Sequence, residues 1–169
     1  IIPKIRKGKL TESEFLKQWI QKQKTGRIAE ELTVEKERER IDKNIPGLGL
    51  NVKRVSDDKK KGISAGYDVI SFSGDNLTLK WTDGKPVHDK FIEVKGTSGS
   101  KPIFFWSENE RDTAKELGEE YWLYVWINVK EKMSNSTMPK GFGNPNPKRE
   151  GDLFVQIQNP YDKVWLNQD

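Results

Sequence analysis

Tyr121-Trp122-Leu123-Tyr124-Val125-Trp126-Ile127-Asn128-Val129 is aromatic, aliphatic or β-branched at every position but Asn128. Alternate side chains of a strand point to opposite faces, so such a strand has no face left for water. It is expected at the centre of a sheet that is covered on both sides. With 169 residues, 33% hydrophobic and 33% charged, the chain is long enough for one compact core carrying long polar connections.

Segments around this strand alternate between helical and extended patterns. Thr11-Glu12-Ser13-Glu14 matches a capping box, and Phe15, Leu16, Trp19 and Ile20 then fall on one helical stripe, predicting a helix over 12–24 that Gly26 ends. A second helix is predicted over 27–43, its first half packed through Ile28, Ala29, Leu32 and Val34 and its second half mostly wet. Pro46-Gly47-Leu48-Gly49 reads as a turn, and 50–56 as a strand. The segments 67–73, 76–82 and 90–96, joined through Ser73-Gly74-Asp75 and Asp83-Gly84-Lys85, read as an antiparallel meander. A short strand over 102–106 precedes a second capping box, Ser107-Glu108-Asn109-Glu110, which opens a helix ending near Gly118. Residues 130–151, rich in Pro, Gly, Asn and Lys, read as a mobile surface loop, and 153–157 as a strand.

The absence of cysteine excludes disulfide frameworks, thiolate zinc sites and cysteine nucleophiles, and an intracellular, cytoplasmic protein is expected. No run of about 18 apolar residues is present, so no membrane span or membrane partner is expected. Ile1-Ile2-Pro3-Lys4 is not a signal peptide, and with no initiator methionine the chain is expected to be one module of a longer protein with further domains. A formal charge of +4 permits a polyanionic partner. Phosphate-loop and dinucleotide fingerprints are missing.

Acid-x-Lys triplets occur at Asp57-Asp58-Lys59, Asp58-Lys59-Lys60, Asp83-Gly84-Lys85 and Glu93-Val94-Lys95, and only the last lies inside an alternating strand. There Glu93 and Lys95 share one face, and Asp68 in a neighbouring strand can join them. Phosphodiester hydrolysis needs a divalent cation, and Mg²⁺ or Mn²⁺ prefers carboxylates, a carbonyl and retained waters. Asp68 and Glu93 can supply carboxylates and Val94 its carbonyl, with Lys95 orienting the attacking water or offsetting charge on the phosphate. On spacing alone, Glu93 and Lys95 equally read as an ordinary pair on a solvated sheet face and Asp68 as a strand-edge residue.

Across 26–129, five ordered motifs resemble the NO VEIN C-terminal domain family, a branch of the PD-(D/E)xK nuclease superfamily. They are Gly26-Arg27-Ile28-Ala29-Glu30-Glu31, Gly66-Tyr67-Asp68-Val69-Ile70, Phe91-Ile92-Glu93-Val94-Lys95-Gly96-Thr97, Ser107-Glu108-Asn109-Glu110 and Tyr121-Trp122-Leu123-Tyr124. The resemblance implies an α/β, restriction-endonuclease-like core over 26–169 with a central mixed sheet flanked by helices, preceded by an N-terminal helical extension over 1–25. It implies catalytic positions for Asp68, Glu93 and Lys95, and an additional metal-site acid at Glu30, for which Glu31 competes. The activity implied is metal-dependent hydrolysis of DNA, as the cleavage module of a larger restriction or phage-defence protein, with a homodimer on DNA as the arrangement for double-strand cutting. The alternative is a non-cutting module that keeps the fold and binds nucleic acid or protein.

Lys59, Lys60, Lys61, Lys101, Lys148 and Arg149 are the candidate phosphate contacts, against the default of solvated charge. His88, the sole histidine, reads as a surface residue, and Glu110 as a helix cap. Of the six tryptophans, at least Trp122 or Trp126 is expected in the core, since alternating positions of one strand cannot all face solvent, with base stacking as the alternative use.

Overall fold

The computed structural model describes residues 11–57, 65–74, 79–132 and 148–165. One unbroken helix, α1 (Glu12–Asn44), runs through the position where two helices were expected to part. The Thr11 hydroxyl accepts from Glu14 N while the Glu14 carboxylate accepts from Thr11 N, so the predicted capping box starts it. Gly26 does not end the helix, because Arg27 to Leu32 are good helix formers and Ile28 and Ala29 are anchored in the core. A Cβ at Gly26 would meet no atom within 4 Å. Gly26→Ala is therefore expected to raise stability by about 0.5–1 kcal/mol, seen as a higher urea midpoint at unchanged slope; a lower midpoint would show that this turn is not helical in solution. The far half of the helix is also less wet than expected, since Glu37 and Ile41 are each only 1% exposed.

Five strands form a mixed sheet in the order β1 (Lys53–Arg54), β2 (Val69–Ser71), β5 (Lys90–Gly96), β6 (Tyr121–Lys132), β7 (Lys148–Gln158). All neighbours are antiparallel except β5 and β6. A parallel pair needs a crossover, and α2 (Glu108–Leu117) supplies it between β5 and β6. Ile92, Val94, Tyr124 and Trp126 pack with Ile28, Ala29, Val34 and Ile41 of α1. Alternation sends Phe91, Glu93 and Lys95 to the opposite face, toward α2. A short helix, α3 (Pro160–Trp165), lies against α2. Gly96 permits the close passage of α1, since a Cβ there would stand 2.6 Å from the Ala29 Cβ.

Several expectations need correction. The middle strand is β5, with β6 one place from the edge, because β1 and β2 lie beyond β5 and only β7 lies beyond β6; residues 148–152 extend β7 along nearly all of β6. The ends of the predicted 130–151 loop are therefore strand, and 133–147 lie outside the described residues. The meander is interrupted: β3 (Trp81–Thr82) and β4 (Lys85–Pro86) form a separate hairpin, while β2 pairs directly with β5. Residues 50–56 are mostly 3-10 turns around the two-residue β1. Residues 102–106 form no strand, and Ile103 and Phe105 are 74% and 80% exposed. No helix among the described residues is long and apolar enough to cross a membrane.

Candidate active site at the ends of β2 and β5

The alternation in β5 places Glu93 and Lys95 side by side, with Lys95 Nζ 2.7 Å from Glu93 Oε1. The same ammonium lies 2.8 Å from Glu110 Oε2 on the first turn of α2. Glu110 keeps its capping role, accepting from Ser107 N at 2.9 Å, so one carboxylate both starts the helix and holds Lys95. Burial disfavours the Lys95 charge, but Glu93 and Glu110 outweigh it and hold the pKa above the usual lysine value.

Asp68 arrives from a tight turn at Gly66, whose φ of +74° suits glycine and whose carbonyl accepts from the Tyr121 hydroxyl at 2.8 Å. The Asp68 backbone joins two strands: its N–H donates to Ile92 O at 2.8 Å and its carbonyl accepts from Val55 N at 2.7 Å. Where the β2–β5 ladder stops, Asp68 Oδ2 accepts from Val94 N at 2.8 Å. The N–H and C=O of one strand residue project from the same edge, so the Val94 carbonyl belongs to the edge that Asp68 occupies. Asp68 and Glu93 lie near enough for the charge of Asp68 to raise the Glu93 pKa. Burial raises the Asp68 pKa, with the Val94 N–H and Lys95 opposing. Glu93, 4% exposed, is pushed well above the carboxylate range by burial and then by Asp68, against the pull of Lys95.

Glu30 approaches from α1. Burial and the field of Asp68 raise its pKa to about 7, with Arg54 opposing from 3.9 Å. Glu31 turns elsewhere, pairing with Arg27 at 3.1 Å, Arg54 at 3.5 Å and Arg149 at 2.6 Å. Of the two competing acids, it is Glu30 that senses Asp68. Beside Glu30 lies an open groove of about 860 Å³ with Lys22, Lys24, Arg27 and Arg54 on its walls.

The structure thus brings Asp68, Glu93, Val94 and Lys95 together, and the charge of Asp68 reaches Glu30. Of the candidate phosphate contacts among the described residues, Arg149 is held by Glu31, Lys148 lies 3.6 Å from Glu150, and Lys101 is exposed on a bend. Lys59, Lys60 and Lys61 lie outside the described residues. His88 is half-buried, stacked on Phe72 at 4.6 Å with Nε2 2.7 Å from Asn51 O, so it packs the fold rather than facing solvent freely. Trp126 is buried and donates to Thr33 Oγ1 at 2.8 Å, whereas Trp81 is 55% exposed. Arg54, the cation that links Glu30 to Glu31 and Asp57, went unrecognised because it sits in a strand of two residues. Among the described residues, no group of three or more His, Cys, Asp or Glu side chains is already arranged to hold a metal ion.

No solved structure matches the chain. The model of one family, described as Protein NO VEIN, C-terminal, matches residues 29–138, a span that contains Glu30, Asp68, Glu93, Lys95 and Glu110. That is well over half of the sequence, and the chain belongs to the NO VEIN C-terminal family.

Proposed function

We propose that this domain is a Mg²⁺- or Mn²⁺-dependent nuclease that hydrolyses phosphodiester bonds in DNA on a restriction-endonuclease-like core, as the cleavage module of a larger restriction or phage-defence protein. The observation that carries the reading is the meeting of Asp68, Glu93 and Lys95 at the point where β2 stops pairing with β5.

The donor chemistry fits a divalent cation. Three carboxyl groups, Glu30, Asp68 and Glu93, are raised in pKa chiefly by burial, with the charge of Asp68 adding to the rise at Glu30 and Glu93, so a cation beside Asp68 would relieve an unfavourable burial of charge. Hard oxygen donors suit Mg²⁺, which takes one or two carboxylates and keeps waters, so a ready-made cage of three acids is not required. Asp68, Glu93 and the Val94 carbonyl would hold the ion, with Glu30 facing it from α1. Such an ion polarises the phosphate and lowers the pKa of a bound water. Lys95 Nζ offsets charge on a phosphate oxygen or orients the water, and Glu110 fixes where that ammonium points. The groove beside Glu30 gives the phosphate backbone a cationic approach.

Incubation of the chain with supercoiled and linear DNA, modified and unmodified, with Mn²⁺, Mg²⁺ or EDTA tests the reading. Cation-dependent nicking or linearisation is expected; binding with no cleavage of any of these DNAs would defeat it. The acid cluster also makes a prediction about stability. A carboxyl raised in the folded state binds more protons there than when unfolded, so stability is greatest below the unfolded pKa and falls as pH rises through the folded one. For Glu30 that window runs from 4.5 to about 7. Its share is about 1–3 kcal/mol lost between pH 5 and 7.5, read from urea midpoints, and the loss should shrink in Glu30→Gln. Millimolar Mg²⁺ should raise the melting temperature at pH 7.5 more than at pH 5; equal shifts at both would argue against these acids as its ligands.

A second reading is favoured by one observation. Lys95 Nζ lies between Glu93 and Glu110 and satisfies both acids without a metal, as a binding module that had given up cleavage would require.

A further inference from the structure

The first turns of α1 leave the body of the domain. Every residue from Thr11 to Lys24 is exposed, and Thr25 is the first buried one. Along this arm Phe15, Leu16, Trp19 and Ile20 form a continuous apolar stripe, 61%, 53%, 52% and 53% exposed. Isolated apolar side chains are ordinary on a surface, but four large ones on a single helical stripe are the pattern of an unfilled helix–helix contact.

We propose that the arm is the dimerisation element of this chain, pairing antiparallel with the same arm of a second copy. The stripe is symmetric about a point between Leu16 and Trp19. A two-fold axis there sets Leu16 of one copy against Trp19 of the other, and Phe15 against Ile20, which is the self-complementarity that an isologous contact demands. Charge selects the direction. Glu12 lies on the axis of the stripe at its N-terminal end, and Lys22 flanks it at the other end. Neither has an ion-pair partner among the described residues, whereas Lys24 is engaged with Glu131 at 2.6 Å. Antiparallel pairing brings Glu12 of each copy beside Lys22 of the other; parallel pairing would set Glu12 against Glu12. The contact spans about three turns, roughly 16 Å, at the small end of specific interfaces, so dimerisation is weak and concentration-dependent.

Sedimentation velocity on the 169-residue chain, from about 1 to 200 μM, tests the proposal. A reversible monomer–dimer equilibrium is expected. Leu16→Glu with Trp19→Glu should leave a monomer at every concentration with unchanged circular dichroism and urea midpoint, because both side chains lie on the surface. Glu12→Lys should raise the dimer Kd about threefold to tenfold, and adding Lys22→Glu should restore it. A wild-type chain that stays monomeric throughout overturns the proposal, as does a dimer that survives the Leu16/Trp19 double variant. A Glu12→Lys defect that Lys22→Glu does not rescue overturns the antiparallel pairing.

Discussion

Lys95→Ala is expected to lower the rate of DNA cleavage by about 100- to 1,000-fold, the usual loss when one positioned charge-stabilising group is removed. Lys95 is held from both sides, 2.7 Å from Glu93 and 2.8 Å from Glu110, so its ammonium is fixed beside Glu93 without paying to be ordered at the moment of reaction. Folding should survive, because Glu93 already sits well above the carboxylate range and accepts a proton when its cation is lost. Circular dichroism and DNA affinity should therefore change little. Glu110→Gln provides the companion measurement: it leaves Lys95 in place but loosens it, and a smaller loss, about tenfold, is expected. Cleavage by Lys95→Ala at the wild-type rate would remove this lysine from the chemistry altogether.

Glu37→Ala should cost about 3–5 kcal/mol, the penalty for removing one partner from a buried ionic cluster. That is a large part of the roughly 5–15 kcal/mol that holds a domain together. Glu37 accepts from Tyr124 at 2.7 Å and Lys90 at 3.2 Å through one oxygen, and from Ser71 and Arg40, each at 2.7 Å, through the other. Arg40 also donates to the Phe72 carbonyl, and Lys90 Nζ lies 4.3 Å from the centre of the Trp122 ring. Burial alone would raise the Glu37 pKa, but Arg40 and Lys90 bring it down to about 2. A lowered folded pKa stabilises above the unfolded value, and this stability is lost as pH falls from about 4.5 toward 2. Alanine strands Lys90 and Arg40 and erases that part of the acid transition. Glu37→Leu combined with Lys90→Met should be far milder than Glu37→Ala, because no buried ammonium is left without its carboxylate and Arg40, 34% exposed, still reaches water. Urea denaturation of the wild type and both variants at pH 7 measures the losses; a loss under about 1 kcal/mol for Glu37→Ala would mean that water reaches the cluster.

Local signals were legible in the sequence, and long-range pairings were not. β5 was readable because Ile92 and Val94 alternate with Glu93 and Lys95, and α2 because a capping box is a local signal. Asp68 was readable as an acid near a strand, but its exchange with Val94 N depends on where pairing stops, which no local pattern encodes. The apolar density of Tyr121 to Val129 reported that β6 is covered, and it said nothing about how many strands lie beyond it. Gly26 misled because helix propensity is a weak force beside the packing of Ile28 and Ala29. Residues 102–106 misled because a short apolar run has no period of its own; exposed Ile103 and Phe105 carry the composition of a strand without a neighbour to pair with. The Glu37–Lys90 pair joins positions 53 residues apart, and in so charged a chain nothing marks one acid as the partner of one lysine.

Because α1 is unbroken, Trp19 and Glu30 are parts of one rigid rod, eleven residues and about 16 Å apart. Whatever grips the rod at its free end therefore sets both the distance and the compass bearing of the carboxylates in the cleft. The helix works as a ruler, and a hinge inserted at Gly26 would leave every local contact in place while blurring its scale.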